Sequence, residues 1–81
     1  MSKEEIYQKV HDFLVDDLEV EEQNIAPDAR LKEDMGIDSL DFVDIVVIVE
    51  KQFGFRLNAA DIKQVTTMQQ FCDYIDSKIN A

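Results

Sequence analysis

The sequence predicts an all-α protein, a small four-helix bundle with a short third helix and a long loop between helices one and two. Two observations lead to this prediction. Apolar residues recur at helical spacing in separate stretches, and residues that cap helices precede those stretches. The chain has 81 residues, of which 46% are hydrophobic. This is enough for one small core, so we expect a single domain over residues 1–81.

The first helix is predicted to begin at about Lys3 and to end near Leu18. Ser2 and Glu5 have the S-x-x-E spacing of a capping box, which satisfies backbone N–H groups at a helix start. An apolar stripe follows at helical spacing and comprises Ile6, Val10, Phe13 and Leu14. We therefore expect one face of this helix to lie in the core.

Residues 19–37 lack a helical period and are predicted to form a long loop. Their apolar residues are spaced as separate anchors into the core, namely Val20, Ile25, Leu31 and Met35. Pro27-Asp28 indicates a turn, and a short helical turn at Leu31 to Met35 is compatible with the pattern. A loop of this length in a small domain wraps the core or serves a function.

The second helix is predicted from Asp38 to Phe53. Its many β-branched residues would ordinarily indicate a strand, but its length, the Asp38 cap and Gly54 after its end favour a helix. One apolar stripe comprises Phe42, Ile45, Val46, Val49 and Phe53. A second apolar line, beside acidic residues, comprises Leu40, Val43 and Val47. The second line is a candidate docking surface, or it packs against the long loop.

Two further helices complete the predicted bundle. Asn58 is predicted to cap a short helix that ends at about Val65. The last helix is predicted to begin at Thr66 and Thr67, each of which is followed by Gln three residues later. The inner face of the last helix is predicted to comprise Met68, Phe71, Cys72, Ile75 and Ile79. At this spacing Cys72 is interpreted as a small buried apolar residue rather than a reactive thiol.

Composition restricts the possible partners. Eight basic and eighteen acidic residues give a net charge of −10, which argues against binding nucleic acid or an anionic membrane and favours partners with basic patches. The single cysteine permits no internal disulfide, so we expect a cytoplasmic protein. Separately, we expect a monomer. The sequence contains neither a signal-peptide pattern nor an apolar stretch long enough to insert into a membrane.

No catalytic or metal site is evident in the sequence, so we expect no enzyme. His11 is the only histidine, and no second histidine or cysteine is placed to share a metal with it. The acidic residues do not follow a calcium-loop pattern, and there is no glycine-rich phosphate loop. The chain therefore has the character of a protein on which enzymes act.

The segment from Gly36 to Leu40 is the candidate functional site. Glycine permits a tight turn, Asp38 supplies an acceptor for the free N–H groups of a helix start, and Ser39 follows at the first helical position. A phosphate ester suits this position, because the helix dipole and the free N–H groups favour negative charge. The alternative is that Ser39 is only part of the cap.

These residues carry a resemblance to a known family. The stretch Leu31-x-x-Asp34-Met35-Gly36-Ile37-Asp38-Ser39-Leu40-Asp41 is close to the L-x-x-D-L-G-x-D-S-L-D motif of the acyl carrier proteins. Val43-Asp44, Phe53-Gly54 and Thr66-Thr67 extend the match. The whole chain therefore resembles the acyl carrier proteins and, more broadly, the phosphopantetheine-carrier superfamily.

The resemblance implies a covalent carrier rather than a catalyst. Ser39 would bear 4′-phosphopantetheine, installed from coenzyme A by a Mg²⁺-dependent phosphopantetheinyl transferase, and the thiol of that arm would hold acyl groups as thioesters. An acyl chain would be sheltered between helices. The residues implied to contact basic partner enzymes are Asp38, Leu40, Asp41, Val43, Asp44, Val47 and Glu50.

Some residues depart from the pattern usual for fatty acid synthesis. Lys51 and Gln52 stand where acidic residues commonly occur, and Phe42 is bulkier than the usual small polar residue. The pathway is therefore open between fatty acid synthesis and a related lipid, polyketide or other specialised product. The alternatives are a carrier of aminoacyl or peptidyl groups and an unmodified acidic module that binds a basic partner.

Overall fold

The computed structural model describes residues 1–80 and confirms the all-α prediction. Over these residues four α-helices and one 3-10 helix follow in the order α1 (Lys3–Asp16), 3-10 (Glu22–Asn24), α2 (Ser39–Phe53), α3 (Ala59–Ile62) and α4 (Met68–Ile79). Two ends differ from prediction, because α1 stops before Leu18 and α3 stops before Val65. Residues 31–35 form the single turn that the sequence allowed, closed by Asp34 N donating to Arg30 O at 3.0 Å. The 3-10 helix differs from prediction, because the sequence indicated only loop there.

The helix starts agree with the capping rules. Glu5 N donates to Ser2 Oγ at 3.1 Å and Ser2 N donates to Glu5 Oε1 at 3.3 Å, which is the reciprocal capping box expected for α1. Thr67 and Gln70 form the same arrangement at the start of α4. The Asn58 side chain caps α3 by accepting from the second residue of the helix. These local contacts account for three of the four predicted starts.

The early end of α1 has a structural cause at Glu19. This residue has φ of 57°, in the left-handed region that non-glycine residues seldom adopt. The reversal lets Val20 N donate to Leu14 O at 2.9 Å and turns the Val20 side chain into the core, where it is 7% exposed. The burial of Val20 therefore accompanies an unfavourable backbone conformation at Glu19, which the sequence does not predict.

The core lies where α1, α2 and α4 meet. Phe13 of α1 and Phe71 of α4 pack edge to face, with ring centroids 6.4 Å apart, and α2 contributes the fully buried Ile45 and Val49. The predicted inner faces of α1 and α4 are confirmed, with Ile79 only partly buried at the end of α4. This packing fixes the direction of α2 and hence the position of its first residues.

The long loop is bound to the start of α4 by backbone hydrogen bonds. Leu31 N donates to Thr66 O at 2.9 Å, and Met68 N donates to Ala29 O at 2.9 Å. Gln69 N donates to the carbonyl of Pro27 at 2.8 Å. The predicted anchors of the loop lie in the core, fully for Val20, Leu31 and Met35 and in part for Ile25. The loop therefore wraps the core and delivers the chain to α2 along a fixed path.

Candidate functional site

Ser39 is the first residue of α2, and the neighbouring Asp38 forms the cap. Asp38 Oδ1 accepts from Leu40 N at 2.9 Å and from Asp41 N at 3.1 Å. In return Asp41 Oδ2 accepts from Asp38 N at 3.1 Å, which completes a capping box between two aspartates. Ser39 is exposed, and within residues 1–80 its hydroxyl makes no hydrogen bond. The cap is therefore supplied by Asp38, and the Ser39 side chain takes no part in it.

A short turn holds Ser39 in place. Gly36 has φ of +73°, a conformation that a side chain would strain, and it redirects the chain immediately before α2. Ile37 N then donates to Leu31 O at 2.9 Å, and the Ile37 side chain is 1% exposed. The core thus anchors the residue two positions before Ser39, and the serine hydroxyl is presented to solvent from a rigid support.

The charges around Ser39 act in two directions. The N-terminus of α2 carries the positive end of the helix dipole, which favours an anion beside its first residues. Asp38 and Asp41 already place two carboxylates there, and both are engaged by backbone N–H groups. A further negative charge on Ser39 is therefore attracted by the helix and repelled by the carboxylates.

A cavity opens beside Ser39 between α2 and α3. Its volume is about 480 Å³, within the range of small-molecule pockets. The residues that line it are Lys32, Ile37, Asp38, Ser39, Phe42, Val43, Val46, Ile62 and Lys63. Its walls are mostly apolar, and Ser39 lies among them, so a flexible arm attached to this serine has an apolar cavity within immediate reach. These residues fit a phosphopantetheine arm and its cargo.

The second apolar line of α2 faces solvent. Leu40 is 77% exposed, Val43 63% and Val47 48%, so the line does not pack against the long loop. Asp44 and Glu50 on the same helix are also exposed. Adjacent apolar and acidic side chains on a solvent-facing helix are typical of a protein-binding surface.

Other chemically reactive groups lie elsewhere. His11 sits at the rim of the core with Asp12 at 3.4 Å and Glu22 at 3.5 Å. Burial raises the pKa of the Cys72 thiol to about 12, which keeps it protonated and unreactive. Within residues 1–80 no group of histidine, cysteine or acidic side chains is placed to hold a metal ion, and no helix is long and apolar enough to cross a membrane.

The structure adds residues to the site that sequence reasoning missed. Lys32, from the long loop, and Lys63, directly after α3, line the cavity together with Ile62. No spacing rule could have found them, because they lie on segments that only the fold brings together. Phe42, which is bulkier than the residue usual at this position of the motif, also lines the cavity.

Comparison with known proteins agrees with this geometry. A family model described as "Phosphopantetheine attachment site" matches residues 8–75. The chain is 37% identical over 78 residues to an acyl carrier protein of Thermotoga maritima, with 96% of each chain covered. It is 35% identical over 75 residues to an acyl carrier protein of Rubrobacter xylanophilus, with 93% of each covered. It is 32% identical to an acyl carrier protein of Thermosynechococcus vestitus over 81 residues, the full length of both.

Proposed function

The chain belongs to the phosphopantetheine attachment family, and from this premise we propose that Ser39 is the residue that bears 4′-phosphopantetheine. The protein is an acyl carrier. The thiol of the attached arm supplies the chemistry, since it holds acyl groups as thioesters. The chain's own residues present the serine, shelter the cargo and meet the enzymes that exchange it.

The assignment to Ser39 is supported most directly by the hydrogen bonding and exposure of the serine hydroxyls. The chain has three serines, Ser2, Ser39 and Ser77. Ser2 Oγ accepts from Glu5 N in the α1 cap, and Ser77 Oγ donates to Tyr74 O at 2.7 Å. Ser39 alone among the described residues offers a free, exposed serine hydroxyl, and it does so beside an apolar cavity. A transferase can reach this hydroxyl without breaking any contact of the fold.

The test is the intact mass of the chain before and after incubation with coenzyme A, Mg²⁺ and a broad-specificity phosphopantetheinyl transferase. We expect one phosphopantetheine on the native chain and on Ser77→Ala, and none on Ser39→Ala. Because the Ser39 hydroxyl makes no hydrogen bond in the fold, Ser39→Ala is expected to remain folded, which circular dichroism checks. Loading of Ser39→Ala would contradict the assignment. A native chain that is neither loaded as purified nor modifiable would favour the unmodified interaction module instead.

The exposed face of α2 is proposed to dock the transferase and the enzymes that load and unload acyl groups. Its apolar residues contribute contact area, and its acidic residues meet basic patches on the partner. The proposed docking residues are Asp38, Leu40, Asp41, Val43, Asp44, Val47 and Glu50. The exposure of Leu40 and Val47 supports this role, because both large apolar side chains are open to water and neither lines the cavity.

Docking can be tested with variants of equal charge. Asp44→Asn combined with Glu50→Gln removes two charges from α2, and Glu4→Gln combined with Glu33→Gln removes two exposed charges elsewhere. We expect kcat/KM for loading to fall about threefold to tenfold in the first variant, since exposed charge contacts each contribute about 0.2–1 kcal/mol. The control should change little, and added salt should reduce the difference. Equal losses in both variants would show an effect of net charge rather than a docking face.

The proposal that Ser39 carries the arm extends to the acyl group on that arm and to the compartment in which the chain is loaded. Coenzyme A and the transferase meet the chain in the cytoplasm, as the single buried cysteine suggests, and the chain acts there as a monomer. An acyl cargo is favoured over an aminoacyl or peptidyl cargo by the apolar walls beside Ser39, which suit a hydrocarbon chain. The pathway is the synthesis of fatty acids or of a related lipid or polyketide-type product.

A further inference from the structure

Two lysines line the cavity beside Ser39 in a strongly acidic chain. The protein has eight basic residues against eighteen acidic ones, yet Lys32 and Lys63 both border this one cavity. They come from different parts of the fold, since Lys32 lies in the turn before α2 and Lys63 is the C-cap of α3. With Asp38 as the one acidic residue of the lining, basic residues outnumber acidic ones around this cavity, against the overall balance of the chain.

Within residues 1–80, neither Lys32 nor Lys63 lies within 4.0 Å of a carboxylate oxygen. Lys3 and Arg30 lie within 4.0 Å of Asp73 and Asp34, respectively. Over the same described residues, Lys51 and Arg56 outside the cavity also form no ion pair. Both cavity lysines are exposed. The aliphatic stem of a lysine can rest on an apolar wall while its ammonium group stays in water, so such side chains suit the mouth of an apolar cavity.

We propose that Lys32 and Lys63 form an anion-binding pair for the arm that Ser39 carries. This inference rests on the proposed function. A group attached to Ser39 adds negative charge next to Asp38 and Asp41, whose carboxylates repel it. The positive charges of the two lysines that line the same cavity offset this repulsion and favour the arm lying along the cavity over the arm extended into solvent.

The anion has two possible sources on the loaded chain. One is the phosphodiester at Ser39, which every loaded form carries. The other is a carboxylate at the far end of the cargo, as in an acyl group derived from a dicarboxylic acid. The chemistry is the same in both cases, since a lysine ammonium binds a phosphate or a carboxylate oxygen as a compact positive charge.

The experiment compares three proteins in matched loaded states. The variant is Lys32→Gln combined with Lys63→Gln, and the control is Lys51→Gln combined with Arg56→Gln, which removes the same charge from exposed positions outside the cavity. Each protein is prepared unmodified, loaded with phosphopantetheine alone, and loaded with a hexanoyl or a hexanedioyl group. Intact mass confirms each state, and the melting temperature and the ³¹P resonance are then measured.

Loading is expected to raise the melting temperature of the native chain and the control about 2–4 °C more than that of the cavity variant. A difference present in all loaded states assigns the pair to the phosphodiester, and the ³¹P resonance should then differ as well. A difference confined to the hexanedioyl state assigns the pair to a cargo carboxylate. In about 1 M salt, where the screening length is about 3 Å, the difference should shrink.

The failures of the two proposals are distinguishable. If all three proteins respond equally to every loaded state, the anion-binding pair is refuted while the carrier function stands. If the native chain gains no mass with the transferase, the carrier function at Ser39 and the pair that depends on it are both refuted. Because both lysines are exposed, the variant is expected to fold, and the unmodified state provides the reference for each protein.

Discussion

Replacing Asp38 with alanine removes the cap of α2 while leaving Ser39 untouched. The Asp38 carboxylate accepts from two backbone N–H groups, at 2.9 and 3.1 Å, and both lose their partner in Asp38→Ala. The reciprocal bond from Asp38 N to Asp41 is a backbone donation, so its geometry loosens as the first turn frays. The substitution therefore addresses one helix terminus and no part of the core.

The expected loss has two parts. Loss of an N-cap side chain destabilises a protein by about 1 kcal/mol, with a range of about 0.5–2. Loss of a negative charge at the positive end of α2 adds about 0.3–1 kcal/mol. The sum is about 1.5 kcal/mol, and for a domain of this size it lowers the melting temperature by about 6–12 °C. Asp38→Asn keeps an acceptor oxygen at the cap, so it should lose only the smaller part.

The assay is urea unfolding followed by circular dichroism for the native chain, Asp38→Ala and Asp38→Asn, with the loading rate of Ser39 measured in parallel. We expect Asp38→Ala to lose stability and Asp38→Asn largely to retain it. If the charge of Asp38 also contacts the transferase, both variants should load more slowly. Equal stability losses in the two variants, or none in either, would refute the assignment of Asp38 as the cap.

Three further predictions concern other parts of the fold. The free energy of unfolding should fall as pH rises from about 9 towards 12, because the folded Cys72 thiol, with a pKa of about 12, stays protonated while the unfolded thiol ionises. In Cys72→Ala the free energy of unfolding should fall less steeply with pH over this range, and an equal slope would contradict the prediction. Gly36→Ala should lower the free energy of unfolding in urea by about 1 kcal/mol. The loss comes from the positive φ alone, because no heavy atom lies within 4 Å of an added Cβ, and unchanged stability would contradict this backbone strain. Tyr74→Phe removes the 2.9 Å hydrogen bond from the Tyr74 hydroxyl to Asp61 of α3. The free energy of unfolding should fall by about 1 kcal/mol and amide exchange in α3 should become faster, whereas unaltered exchange would show that other contacts hold this helix.

The helix starts could be predicted because their rules are local. The capping box of Ser2 and Glu5 and that of Thr67 and Gln70 depend only on residue type and a spacing of three. The end of α2 could be predicted for the same reason, since Gly54 adopts φ of +78°, as a glycine directly after a helix is expected to do. The apolar period then identified which face of each helix is buried.

The remaining features depend on distant contacts. Glu19 adopts a left-handed conformation and Val20 enters the core, although nothing in the residues themselves favours glycine-like geometry at Glu19. Lys32 and Lys63 meet at one cavity only because the loop is bound to α4 and α3 follows α2 closely. The exposure of Leu40 was likewise undecided in the sequence, because an apolar line on a helix fits a buried and a docking face equally well.

The start of α2 separates two tasks that a single residue could not perform together. If the capping residue were itself the serine, esterification would replace a hydrogen-bonded hydroxyl and weaken the helix at the moment of loading. Here Asp38 satisfies the backbone N–H groups and Ser39, one position later, keeps a hydroxyl free of any contact described in residues 1–80. The modification proposed at Ser39 would therefore leave the cap intact. A change in stability on loading then comes from the charge added beside Asp38 and Asp41 and from where the arm lies. Comparing the melting temperatures of the native chain and the cavity variant isolates the part that depends on the two lysines.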